Sequence, residues 1–144
     1  MSDSATVQAA APDATTNPEA KGGVVPYINP SDANAAAEFY KRAFAAEEVA
    51  RNAMPDGRLM HCHLYINGGS VMMTDPMAEH GHPHQTPAGF TLHLQVDDID
   101  AWWKRAVEAG AEIVMPLETQ FWGDRYGQLR DPFGISWSLG SSTS

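Results

Sequence analysis

The sequence predicts an α+β fold of two tandem β-α-β-β-β modules, and three observations carry that expectation. First, Phe39-Tyr40-Lys41-Arg42-Ala43-Phe44 followed by Ala46-Glu47-Glu48-Val49 recurs as Trp102-Trp103-Lys104-Arg105-Ala106-Val107 followed by Ala111-Glu112-Ile113-Val114, offset by 63 to 65 positions. A long repeat present only twice marks a duplicated module, because solenoids need about three or more stacked copies to bury a core. Second, apolar residues fall at helical spacing inside each copy. Third, they alternate with polar residues in the flanking runs. A ligand is expected where the two halves meet.

The first module opens with a β-rich run at 24–29, closed by Pro30. Asp32 offers an N-cap oxygen, and Ala36, Phe39, Tyr40, Ala43 and Phe44 lie three and four apart, giving a helix with one apolar face. Residues 47–52 form a strand, Pro55-Asp56-Gly57 a turn, and 58–66 a strand with strong alternation. Asn67-Gly68-Gly69 closes a hairpin whose return strand is 70–74. After a loop at 75–88 the order restarts with a strand at 89–97. Asp98 caps a helix striped by Ile99, Trp102, Trp103, Ala106 and Val107, and Gly110 stops it. Strands at 111–116 and 125–131 follow, and Asp131-Pro132-Phe133-Gly134 turns into a last strand at 135–139.

The chain of 144 residues is one domain's worth. The expected boundaries are a disordered tail at 1–22, one domain at 23–140 (module one 23–75, linker 76–88, module two 89–140) and a short tail at 141–144. The first 22 residues are rich in Ala, Ser, Thr, Asp and Pro and lack a signal peptide's basic and apolar regions. Nine Lys and Arg against 18 Asp and Glu give a net charge of −9, which repels a phosphate backbone, so nucleic acid is not an expected partner. The single Cys62 precludes an internal disulfide, and no apolar run is long enough to span a bilayer. A soluble cytoplasmic protein without membrane contact is expected.

Strand alternation sorts the candidate site residues. Cys62, Leu64 and Ile66 share one face of their strand while His61, His63 and Tyr65 share the other; Leu92, Leu94 and Val96 likewise oppose Thr91, His93 and Gln95. An offset of 65 carries His61, His63 and Tyr65 onto Tyr126, Gln128 and Arg130, again polar. The polar sets mark a concave ligand face.

Two tandem modules, the lead Val96-Asp97-Asp98-Ile99-Asp100-Ala101 into a helix, and Gly123-Asp124-Arg125-Tyr126-Gly127 before Asp131-Pro132-Phe133-Gly134 resemble the vicinal oxygen chelate superfamily, which includes glyoxalase I, extradiol dioxygenases and bleomycin-resistance proteins. Phe121-Trp122 ahead of that string and Trp137-Ser138 after it are most similar to the PhnB-type glyoxalase/bleomycin-resistance branch. The resemblance covers about residues 23–140. It implies an eight-stranded, incompletely closed curved sheet with a helix outside each half, and a homodimer. It says less about the reaction, because this fold hosts many chemistries.

The resemblance also implies a divalent metal held by four His or Glu side chains, one from the first and fourth strand of each module. By that alignment the positions are Val25, Met73, Thr91 and Ser138, and an isopropyl group, a thioether and two hydroxyls are not competent donors. The expected function is therefore metal-independent binding of a small organic molecule, with no cofactor. The rival is a metal-dependent glyoxalase-like lyase, isomerase or dioxygenase whose divalent metal sits on a relocated His61, His63 and His93 set. The expected ligand-binding set is Tyr27, His61, His63, Met73, Thr91, His93, Gln95, Trp122, Arg125, Tyr126 and Ser138. No catalytic nucleophile stands out: Cys62 falls on the apolar face as an inert core thiol, and Trp102 and Trp103 fit the helix stripe. His80-Gly81-His82-Pro83-His84 lies in the linker, where histidines chelate added metal adventitiously. Trp122, Arg125 and Tyr126 suit an anionic or aromatic ligand, unless Arg125 pairs with Asp124 or Asp131.

Overall fold

The computed structural model describes residues 17–142. Module one comprises β1 (Tyr27–Ile28), α1 (Ala33–Phe44), β2 (Glu47–Ala53), β3 (Leu59–Ile66) and β4 (Gly69–Met73). Module two comprises β5 (Leu92–Gln95), α2 (Ile99–Ala109), β6 (Glu112–Thr119), β7 (Arg125–Arg130) and β8 (Ser136–Ser141). They form two four-stranded sheets, ordered β1-β4-β3-β2 and β5-β8-β7-β6, which do not close into a barrel. In each, the first strand runs parallel to the fourth and the remaining pairs are antiparallel.

The helices form where the sequence places them. Asp32 accepts from the Ala35 N–H at 3.0 Å, and Asp98 accepts from the Ala101 N–H. Both helices end in a left-handed residue, Ala45 at φ 55° and Gly110 at φ 118°. α1 buries Ala33, Ala36, Ala37, Phe39, Tyr40, Ala43 and Phe44, whereas α2 buries only Ile99 and Ala106. The two helices pack together, and one hydrophobic core spans both modules. A buried polar joint ties them: Tyr40 Oη donates to Asp131 Oδ2 at 2.5 Å, Trp137 Nε1 donates to the same oxygen at 2.9 Å, and the Phe133 and Ile135 N–H groups donate to Oδ1.

The strand registers repeat between modules, with two changes. Glu47 pairs with Tyr65 and Ala50 with His63; Glu112 pairs with Arg130 and Met115 with Gln128, an offset of 65, but farther along Asn52 faces His61 whereas Glu118 faces Tyr126, because β6 carries an extra residue between Met115 and Glu118. Beyond the next hairpin the offset becomes 66, because Tyr65 faces Ser70 whereas Arg130 faces Ser136. Asn67 (φ 52°) and Gly68 (φ 80°) make the tight turn of module one, and the Asp131–Ile135 turn is one residue longer. A one-residue shift exchanges sheet faces. Met73 therefore matches Leu139, not Ser138, and is fully buried against the helix side. The alignment that sets Met73 and Ser138 at matched fourth-strand positions is thus corrected.

Residues 1–16 and 143–144 of the expected tails lie outside the described residues. Residues 19–21 are not tail-like: Tyr65 Oη donates to Glu19 O at 2.7 Å, and Lys21 N–H donates to Ser70 Oγ at 2.7 Å. At the other end β8 continues to Ser141, past the expected boundary at 140. The linker also has structure. A 3-10 turn at Ala78–His80 lies inside a bridge between Met77 and His82, and Arg58 latches it through Glu79 and the Pro76 carbonyl.

Candidate functional site

The sheet faces turned away from the helices carry the expected polar residues in matched places. In module one Tyr27 lies beside Met72 on β4, and its hydroxyl hydrogen-bonds His61 Nδ1 at 3.0 Å, with ring centroids 5.9 Å apart. In module two His93 occupies the corresponding place beside Ser138, and its ring stacks on Tyr126 at 6.0 Å and 20°. Each face thus presents one Tyr–His pair with the strand of origin exchanged. Ser138 and Thr91 are both committed to neighbours, through Ser138 Oγ to His93 Nδ1 at 2.7 Å and Thr91 Oγ1 to Ser136 Oγ at 2.9 Å.

The chemistry of module two's face follows from this network. His93 Nε2 lies 2.8 Å from Gln95 Oε1, an acceptor, so Nε2 carries a proton, and Nδ1 shares a hydrogen bond of 2.7 Å with Ser138 Oγ, a hydroxyl able to donate or accept. Gln128 Nε2 donates to Tyr126 Oη at 3.1 Å, leaving that phenol's own proton free to donate. Trp122, half exposed, stands edge-on to Tyr126 at 6.0 Å.

Arg125 does not join them. Adjacent strand residues point to opposite faces, and Arg125 Nη1 donates to Asp100 Oδ2 of α2 at 2.8 Å. Its partner is neither Asp124 nor Asp131, since Asp131 is enclosed in the inter-module joint. Met73 is likewise absent from the open face, for the register reason above, and Met72 stands in its place.

On module one's face, burial lowers the pKa of both His61 and His63 below 6.5, with mutual repulsion adding at His61. His63 is 2% exposed and bonds Ser70 Oγ through Nε2 at 2.7 Å. Burial also raises the Tyr27 phenol. On the helix side Cys62 is fully buried and its thiol is pushed up to about 11, which makes it unreactive at neutral pH.

A cavity of about 590 Å³ lies beneath the linker, lined among others by Tyr27, Thr74, Met77, His82 and Phe90. Tyr27, which also belongs to module one's face, forms part of the cavity wall. Sequence reasoning missed it, because no periodicity places a loop over a strand end.

The donor set does not fit a divalent ion at the four positions implied by the resemblance. Val25 has no donor, Met73 is in the core, and the Thr91 and Ser138 hydroxyls are hydrogen-bonded. Replacing Met73 by its neighbour Met72 substitutes one thioether for another. The relocated set fails as well: among the described residues no group of three or more His, Cys, Asp or Glu side chains could hold one ion. His61, His63 and His93 are divided between two sheets.

Comparisons with known proteins agree with the fold. Residues 23–139 match the family model of the Glyoxalase/Bleomycin resistance protein/Dioxygenase superfamily. An uncharacterised protein of Mycobacterium tuberculosis is 46% identical over 121 residues, covering 80% of this chain and 71% of that one. Protein YjdN of Escherichia coli K12 is 30% identical over 114 residues, covering 70% and 75% respectively. Among solved structures, TioX from Micromonospora sp. ML1 superposes with a TM-score of 0.68 at 26% identity, covering 83% of this chain and 98% of that one.

Proposed function

The chain belongs to the glyoxalase/bleomycin resistance protein/dioxygenase superfamily, and from that premise we propose that it binds a small neutral organic molecule on its open sheet faces, without a divalent ion. The observation that supports this reading is the matched Tyr–His pair on each face, Tyr27–His61 and His93–Tyr126, where the metal positions carry no competent donors. The nearby cations Arg125 and Arg130 are paired with Asp100 and Glu112. That leaves hydrogen-bonding groups and an exposed indole, which suit an uncharged aromatic ligand with polar edges. It also turns the expected anion clamp at Arg125 into a helix brace.

The proposal includes a homodimer. β1 and β5 each have one unpaired edge, and Tyr27, Met60, Phe90, Ile113 and Val114 are exposed apolar surface that a second copy could cover.

Untagged protein tests this reading in a thermal-shift screen of neutral aromatic and anionic small molecules, with metal content measured on the same sample and mass determined by light scattering. A neutral aromatic ligand at 100 times its Kd should stabilise by about 2.7 kcal/mol. The gain should survive EDTA and be lost in His93→Ala. Stoichiometric divalent metal whose removal abolishes binding would overturn the reading.

A further inference from the structure

We propose that residues 19–21 are a self-supplied occupant of module one's open face, closing its His63–Tyr65 end so that small molecules reach only the Tyr27 end of that sheet and the face of module two. As a limit on ligand size this rests on the ligand-binding reading above. As a closure over His63 it stands on the contacts alone.

Those contacts come from main chain and side chain together. Ser70 N–H donates to Lys21 O at 2.9 Å while Lys21 N–H donates to Ser70 Oγ, the same oxygen that bonds His63 Nε2. Tyr65 Oη reaches Glu19 O, and the Lys21 ammonium lies 4.2 Å from the centre of the Tyr65 ring. Farther along β4, the Met72 and Thr74 N–H groups donate to Pro26 O and Ile28 O. The segment therefore resumes the edge pairing of β1 after a loop. From Pro26 back to Lys21 the chain passes four residues while β4 retreats only from Met72 to Ser70, and Gly22 at φ 111° makes the excursion in a conformation that a side chain would strain.

Among the described residues, module two has no counterpart of the hydrogen bonds between Lys21 and Ser70. The hydroxyl of Ser136, the counterpart of Ser70, bonds the Thr91 hydroxyl, and Gln128, the counterpart of His63, is only partly buried. The difference between a covered His63 and a half-open Gln128 coincides with the strap.

Diethyl pyrocarbonate is itself a small neutral molecule, and its rate of modifying each histidine, resolved by fragment-ion mass spectrometry on the full chain, reads the exclusion directly. In the wild-type protein His63 should react far more slowly than His93. Lys21→Pro removes the N–H that bonds Ser70 and the cation over Tyr65, and should speed His63 modification roughly tenfold, the change expected when a local opening loses one or two net hydrogen bonds. Tyr65→Phe, which deletes only the bond to Glu19 O, should give a smaller increase with the ring still in place. An unchanged melting temperature in either variant separates strap release from unfolding. A His63 as reactive as His93 in the wild-type chain, or one equally protected in both variants, would overturn the proposal, and neither result bears on whether module two binds a ligand.

Discussion

The two modules share strand order and strand pairing yet differ in what they bury and expose. Module one anchors: α1 seats seven residues in the core, and residues 19–21 lie across its sheet. Module two is the open half, with α2 burying two residues, β6 exposed along most of its length, and His93, Gln95 and Trp122 accessible. One extra turn residue underlies part of the contrast. The tight Asn67-Gly68 turn keeps module one compact, whereas the longer turn of module two shifts the register and supplies the Asp131 carboxylate that grips α1. An extra turn residue can thus help to specialise a duplicated unit, because one residue changes both the sheet face and the reach of the loop.

Breaking that joint should have the largest effect. Asp131→Ala strips the acceptor from Tyr40 Oη, Trp137 Nε1 and two backbone N–H groups, all in buried surroundings, and should cost about 3–5 kcal/mol in a denaturant titration. Asp75→Ala, in module one, removes the acceptor from the Ala33 and Leu59 N–H groups and should cost clearly less. Equal losses would mean that the joint is no more important than a local brace.

A pH titration of stability sharpens the comparison at the sheet faces. The folded pKa values of His61 and His63 lie below 6.5, so near that pH the unfolded chain binds more protons than the folded one. Stability from these two residues should be complete above 6.5 and fall as pH drops through 6.5 towards the lowered folded values. Replacing both with Gln should flatten that part of the profile. A slope that persists in the double variant would assign it to other groups.

The smallest expected effect concerns the helix ends. Module two stops α2 with Gly110, while module one holds Ala45 in the same left-handed region at φ 55°. Ala45→Gly relieves a cost of about 1–2 kcal/mol for a side chain there and adds about 0.5–1 kcal/mol of backbone entropy. A net stabilisation of roughly 0.5–1 kcal/mol should appear as a raised denaturant midpoint. No change would indicate that the Ala45 methyl gains an offsetting contact.

The sequence by itself determined both modules, both helix N-caps at Asp32 and Asp98, the stop at Gly110 and the Asn67-Gly68 turn, because each depends on neighbours within a few positions. Alternation also sorted His61, His93, Gln95 and Tyr126 from Cys62, Leu64 and Leu94, since strand faces follow a period of two. The same rule already separates Arg125 from Tyr126, whose proximity in sequence had suggested a shared role. Tertiary structure decided the rest. The one-residue difference between hairpins moved Met73 into the core and put Met72 on the open face, which a constant repeat offset could not reveal. The Arg125–Asp100 pair, the Tyr40–Asp131 joint and the strap at residues 19–21 connect positions 25 to 91 apart in the chain. Such contacts depend on how finished elements meet in space, and local sequence patterns carry no record of that meeting.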